Sequence, residues 1–163
     1  MKHLQAVKET VYAAVRNSVR AANPQRVATI AGVERTAVAL EGVLIAAADR
    51  DIAGVFYVSF PGLAVAATNG AVTVECDVRY SVAASQVGAA DLEQAMSSMD
   101  EELLAAAPGA VSVTQQTPGS GAVPVPGMSV TWEYPVFAAV KVDGARWRRT
   151  AKFTVTVVNG AVL

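Results

Sequence analysis

Cysteine and histidine are nearly missing from this chain of 163 residues, which has one of each, Cys76 and His3. One cysteine excludes an intramolecular disulfide framework and a cysteine-based zinc site. One histidine, three residues from the start, would leave any Ser-His-Asp or Cys-His arrangement dependent on a frayed end. Charge is sparse as well. Charged residues make up 17% and the formal net charge is −1, without the basic stripe that a general nucleic-acid binder needs to release counterions from phosphates. A phosphate-binding loop is lacking, since Gly119-Ser120-Gly121 is followed by neither Gly-Lys-Ser nor Gly-Lys-Thr. No uninterrupted apolar run approaches the roughly 20 residues of a membrane span. The opening Met-Lys-His-Leu-Gln-Ala-Val-Lys-Glu has no apolar segment of the secretory type. These features lead us to expect a soluble cytoplasmic protein with no cofactor and no metal.

What the chain does have is Ala and Val. The composition is 53% hydrophobic but only 6% aromatic, so small side chains must pack between close backbones or be buried between subunits. The length suits a single domain, residues 1–163, with a core of its own and a tendency to self-associate. Residues 72–82 carry the clearest pattern. Val72, Val74, Cys76, Val78, Tyr80 and Val82 share one parity, and Thr73, Glu75, Asp77, Arg79 and Ser81 share the other. Only a period of two fits, so this is a half-buried strand, central to the fold, with Cys76 on its inward side as a small core residue. Its polar parity would form the exposed face. Asn69-Gly70 reads as a hairpin turn into it, with Leu63–Ala67 as the partner strand.

An amphipathic helix is expected from Lys2 to Ala22, where Leu4, Val7, Val11, Val15, Val19 and Ala22 recur every three or four positions before Asn23-Pro24. Over 26–67 the β-branched runs Arg26–Val33 and Val55–Phe60 suggest strands. Thr36–Ala48 fits a buried strand or a short helix, with strand preferred, and Asp49-Arg50-Asp51 a charged turn. A second helix begins near Asp91, whose spacing to Gln94 suggests a capping box. It carries Leu92, Met96, Met99 and Leu103 on one face and stops at Pro108-Gly109. Residues 117–127, rich in Gly, Pro and Ser, have the composition of a long mobile loop. Asp143-Gly144 predicts a two-residue hairpin with Val142 opposite Ala145, Val140 opposite Trp147, Val136 opposite Ala151, Tyr134 opposite Phe153, Trp132 opposite Val155 and Val130 opposite Val157. That register makes one face apolar except for Arg149 opposite Ala138, and pairs Thr131 with Thr156 on the other. Pro135 implies an edge or a bulge. The whole is an α+β fold, a mostly antiparallel sheet with two helices packed on one face and a C-terminal β-hairpin.

Among polar residues, Glu75 and Asp77 are adjacent outward positions on one strand. Asp100, Glu101 and Glu102 are consecutive helical residues that point in different directions, a pattern of solvated or inter-subunit faces rather than acid–base chemistry. Arg146, Arg148 and Arg149 form the only basic cluster and read as salt-bridge donors to acidic groups, on this chain or a neighbour. An aromatic set, Tyr57, Tyr80, Trp132 and Trp147, could line a cavity between sheet and helices in a small-molecule-binding domain, although core packing explains it more simply.

The order of elements resembles that of the tail-terminator proteins of long-tailed bacteriophages of the lambda type. The similar features are the opening Met-Lys-His with its amphipathic helix, the long alternating strand Thr73–Val82 running into the acidic, Met-containing helix Asp91–Ala107, and the Thr-rich final strand Thr150–Val158. The similarity covers about two-thirds of the chain as pattern, and the chain is longer than the lambda type mainly in 26–67 and 117–127. The resemblance implies a non-enzymatic virion protein of the tail and neck, assembled in the host cytoplasm. It would form a homohexameric ring on the last ring of tail-tube protein, stop tube polymerisation and present the surface on which the head or neck connector docks. DNA would pass through its lumen without specific binding. By the same resemblance Glu75, Asp77, Asp100, Glu101 and Glu102 are candidates for pore or interface faces, Arg146, Arg148 and Arg149 for the complementary charge, and 117–127 for contact with the adjoining ring. The other readings are a head–tail connector or tail-tube subunit, or the small-molecule-binding domain.

Overall fold

The computed structural model describes residues 3–41, 46–65 and 71–159. Helix α1 (Leu4–Ala22) forms where the Val stripe predicts it and buries Ala6, Val7, Thr10, Val11, Val15 and Val19. It ends at Asn23, whose N–H donates to the Val19 carbonyl at 2.9 Å, one residue before Pro24. A small hairpin of β1 (Val27–Ile30) and β2 (Val33–Thr36) follows, turning through Ala31 and Gly32, both at positive φ. Strand β3 (Val38–Leu40) runs parallel to β4 (Phe56–Val65), with a 3-10 turn at Ala47–Asp49 between them. Next come β5 (Val72–Ala83), the short helix α2 (Ala84–Val87), a 3-10 turn at Ala89–Asp91 and helix α3 (Leu92–Leu104). Strands β6 (Gly109–Thr117), β7 (Gly121–Trp132), β8 (Val136–Phe137), β9 (Lys141–Asp143) and β10 (Arg146–Asn159) complete the chain. The main sheet runs β3-β4-β5-β10-β7-β6, and β8 and β9 pair with β10 ahead of the stretch that pairs with β7.

This is the expected α+β fold, a mostly antiparallel sheet with α1 and α3 on one face. The alternating strand lies at its centre between β4 and β10. Its even-numbered residues Val74, Cys76, Val78, Tyr80 and Val82 join Phe56 and Val58 of β4, Phe153 and Val155 of β10, and Leu92, Met96, Met99 and Leu103 of α3 in one core. Each fully buried Val or Leu contributes about 1.5–3 kcal/mol by leaving water. Cys76 is fully buried in this core as a packing residue, and burial pushes its thiol up to about 12. Trp132 closes one end of the core, its indole N–H donating to the Ala106 carbonyl at 2.6 Å. At the outer strand β6, the Thr10 hydroxyl of α1 accepts from the Thr114 N–H at 3.1 Å, so the helix satisfies a backbone group where the β6–β7 register shifts.

Several expectations need correction. The polar face of β5 is not fully exposed. Tyr57 and Ala39 belong to a second apolar cluster with Ile30, Ala37 and Val55, and Tyr57 points opposite to Phe56 because neighbours on a strand alternate. Residues 117–127 are not a loop. Apart from the turn at 118–120 they are strand, pairing Thr114 with Pro124 and Gln116 with Ala122. The prolines are tolerated because this part of β7 pairs only with β6, so one side of the strand carries no ladder bonds.

The C-terminal hairpin keeps the expected register where it is most apolar, at Trp132↔Val155, Thr131↔Thr156 and Val130↔Val157. It slips by one residue to Ala151↔Phe137 after Pro135, and by another to Arg146↔Asp143 at the turn. Tyr134, Val136 and Val142 are consequently exposed rather than inward. Asp91 makes no capping bond to α3, because its φ and ψ of −106° and 6° continue the preceding 3-10 turn instead of taking the extended N-cap geometry. Of the described residues in 36–48, Thr36 ends β2 and Val38–Leu40 forms β3, while Ala47 and Ala48 belong to the 3-10 turn. Val43, Leu44 and Ile45 of that expected strand, and the Asn69-Gly70 turn, lie outside the described residues.

Candidate functional site

The outward parity of β5 is matched across its ladders by polar neighbours. On β10, Arg146 pairs with Ala83, Arg148 with Ser81, Thr150 with Arg79, Lys152 with Asp77 and Thr154 with Glu75. On β4, Tyr57 pairs with Arg79 and Ser59 with Asp77. Facing residues share a side of the sheet, so the outer face carries a charge gradient. Glu75, Asp77 and Lys152 stand at one end, and Arg79, Arg148 and Arg146 at the other. Lys152 Nζ lies 3.7 Å from Glu75 Oε2. Burial raises the Asp77 carboxyl above its ordinary range against the opposing pull of Lys152, and Asp77 Oδ1 is buried without a hydrogen-bond partner.

At the cationic end the segment before β4 supplies the counter-charge. The Tyr57 hydroxyl accepts from the Ile52 N–H at 2.8 Å and donates to the Asp49 carbonyl at 2.6 Å, which clamps the turn carrying Asp51. Asp51 Oδ1 then sits 2.6 Å from Arg148 Nη1 and 3.4 Å from Arg146 Nη1. The Arg148 hydrogen bond holds the Asp51 carboxyl below its usual range against the effect of burial. Arg79 pairs with Glu41, and its guanidinium lies 5.0 Å from the Tyr57 ring centroid, a cation–π distance. A cavity of about 310 Å³ opens among these groups, lined among others by Asp51, Tyr57, Arg79, Lys141, Arg148 and Thr150.

The remaining candidates lie on the helix side and are bound up in internal contacts. Tyr80, buried in the core, donates its hydroxyl to Asp100 of α3. Arg149 Nε is 3.3 Å from the same carboxylate, and Arg149 Nη1 donates to the Ala138 carbonyl at 2.9 Å. Glu102 corrects the expectation of a solvated or inter-subunit face. It is buried and accepts from Asn23 Nδ2 at 2.6 Å, Arg26 Nε at 2.5 Å and Arg26 Nη2 at 3.0 Å. Of the acidic run only Glu101 is exposed. The structure therefore brings Glu75 and Asp77 together, gathers Arg146 and Arg148 at the other end of the same face, ties Arg149 to Asp100 while leaving it in the cavity lining beside Arg148, and separates Glu102 from both ends.

Asp51, Arg79 and Lys141 are not among the site candidates read from the sequence, which places Asp51 only in a charged turn and Arg79 only on the outward face of a strand. Arg79 carried a signal, as the one cation on the outward parity of β5, whereas nothing local tied Asp51 to Arg148, 97 residues away. The aromatic set Tyr57, Tyr80, Trp132 and Trp147, offered as an alternative cavity lining, is divided between the main core and the outer face of the sheet, and Trp147 packs against the core. Trp132 and Tyr80 are core residues, while Tyr57 and Tyr80 border the cavity described above. Among the described residues no group of three or more His, Cys, Asp or Glu is placed to hold a metal ion, and no described helix is long and apolar enough to cross a membrane. Comparison with known proteins finds no protein-family model and no characterised protein that matches the chain.

Proposed function

We propose that this chain is a structural subunit that assembles head to tail into a ring and caps a tubular assembly, as the tail terminators it resembles do for the phage tail tube. The observation that carries this reading is the pair of unlike, apolar strand segments at separate places on the sheet. Among the described residues, β4 beyond Val58 pairs only with β5, and there Leu63 and Val65 are 49% and 60% exposed. Beside the first half of β10, the short strands β8 and β9 leave Val136 73% and Val142 65% exposed, with Tyr134 between β7 and β8 at 62%. Exposed apolar strands are contact surfaces. Two different ones on a single chain favour a heterologous contact, which closes into a ring when the rotation between copies closes. Six copies, the tail-tube partner, the neck partner and a lumen that passes DNA follow from the resemblance and belong to the same proposal.

The test is light scattering after size exclusion, with negative-stain imaging of the peak, on the wild type and on the Val65→Glu and Val136→Glu variants. Rings are expected from the wild type, alone or on adding tail tubes. Each variant alone should be monomeric. Their equimolar mixture should stop at a dimer, because one intact face of each kind remains. A wild-type protein that stays monomeric at all concentrations and leaves tube length unchanged overturns the proposal.

A further inference from the structure

We infer that the cavity on the outer face of the sheet is a binding site for a small organic anion, a carboxylate or phosphate carried on a compact apolar body. Its volume, about 310 Å³, lies at the lower end of the range for small-molecule sites. The lining contains four cations, Arg79, Lys141, Arg148 and Arg149, and one carboxylate, Asp51. Arg79 and Arg149 also have carboxylates from outside the lining, Glu41 and Asp100. Counting those, together with Arg146, which shares Asp51, and Asp143, which acts on Arg148, five cations meet four anions, and the cation left without a partner among the described residues is Lys141. That residue is exposed on β9 and has no ion pair among the described residues.

Unused donors converge with this surplus. Arg148 commits one terminal nitrogen to Asp51, leaving the rest of a five-donor guanidinium fork for a planar or tetrahedral anion. Lys141 has three donors and Thr150 a hydroxyl. The walls between them are apolar, formed by the Tyr57 ring and by Ala138 and Ala139, which suits a small body rather than a bare ion. The site is pre-organised, because Tyr57 fixes the Asp49–Ile52 turn and Asp51 fixes Arg148. This inference rests on the cavity alone and is independent of ring assembly.

The experiment is a titration of the purified full chain with benzoate and, separately, phenyl phosphate at low ionic strength, followed by calorimetry and by amide shifts in nuclear magnetic resonance. Saturable one-to-one binding is expected, with shifts confined to 138–143, the start of β10, residues 79–81 of β5 and the 49–57 segment. Lys141→Ala and Arg148→Ala should each weaken it by about tenfold. Lys141 is exposed and makes no ion pair, so its variant folds as the wild type does. Lys152→Ala, at the acidic end of the same face, should leave binding unchanged. The preferred probe distinguishes the two headgroups. Absence of saturable binding by about 10 mM of either probe, or equal weakening by Lys141→Ala and Lys152→Ala, overturns the inference.

Discussion

Replacing Glu102 with alanine tests the best-defined polar contact in the fold. The carboxylate sits on the inner side of α3, 7% exposed, and joins three parts of the chain: α3 itself, the end of α1 through Asn23, and the approach to β1 through Arg26. Arg26 is 19% exposed and its guanidinium lies 5.9 Å from the Phe56 ring centroid. Removing one partner of a buried ion pair strands the other charge, which costs about 3–5 kcal/mol when burial is complete. The residual exposure of Arg26 lets water recover part of that, so we expect a loss of about 2–4 kcal/mol for Glu102→Ala. A loss of about 3 kcal/mol corresponds to a fall of roughly 6–12 °C in Tm for a domain of this size.

The pair itself contributes far less than its breakage costs, since both ions gave up hydration to form it. Arg26→Met combined with Glu102→Leu should therefore recover most of the loss. Urea unfolding followed by tryptophan fluorescence measures Glu102→Ala and the four corners of the cycle, namely wild type, Arg26→Met, Glu102→Leu and the double variant, with an unchanged m-value confirming that only stability has moved. A Glu102→Ala cost below about 1 kcal/mol, or a double variant whose loss equals the sum of the single losses, would refute the reasoning.

Two further predictions concern the sheet. Asp77 and Asp51 shift in opposite directions from the same ordinary value of 3.8, so their asparagine variants should show opposite pH dependence. Asp77 has a raised carboxyl, so ionising it costs the folded state. Asp77→Asn should stabilise at pH 7, with the gain shrinking as pH falls through the folded-state value and absent below about 3.8. Asp51 has a lowered carboxyl, so Asp51→Asn should destabilise at neutral pH, with the deficit disappearing in acid; stability measured at pH 3 and pH 7 for both variants checks the signs. Gly109→Ala should lose about 1–3 kcal/mol by overpacking, because a Cβ there would lie 2.0 Å from the Trp132 ring. The shift of that ring away from the Ala106 carbonyl should appear as a change in native-state fluorescence, and an unchanged spectrum and melting curve would refute it.

The parts of this fold that were legible in the sequence are those where a single periodicity decides the outcome. The valine stripe of α1 and the alternation of β5 each bury one face of a regular element, and no other backbone state would do so. The C-terminal hairpin shows where that logic stops. Trp132, Val130, Val155 and Val157 hold their register because a slip would turn all four away from the core. Val136 and Val142 have no core to reach, and the two slips that expose them cost little. The same distinction separates the charged residues. Glu102 and Glu101 are neighbours with the same side chain, but one faces Arg26 and the other faces solvent, and only the approach of a segment 76 residues away decides which. Glycine- and proline-rich composition misled over 117–127 for a related reason. A strand paired on one side can carry Pro124 and Pro126 without losing a ladder bond, so composition records tolerance of an edge as readily as absence of structure. Sheet edges and outer faces are thus where local sequence says least, and they are also where a subunit meets its neighbours or a ligand. The exposed apolar segments on β4 and β8–β9, and the cavity beside Lys141, emerge only when strands distant in the chain are laid side by side.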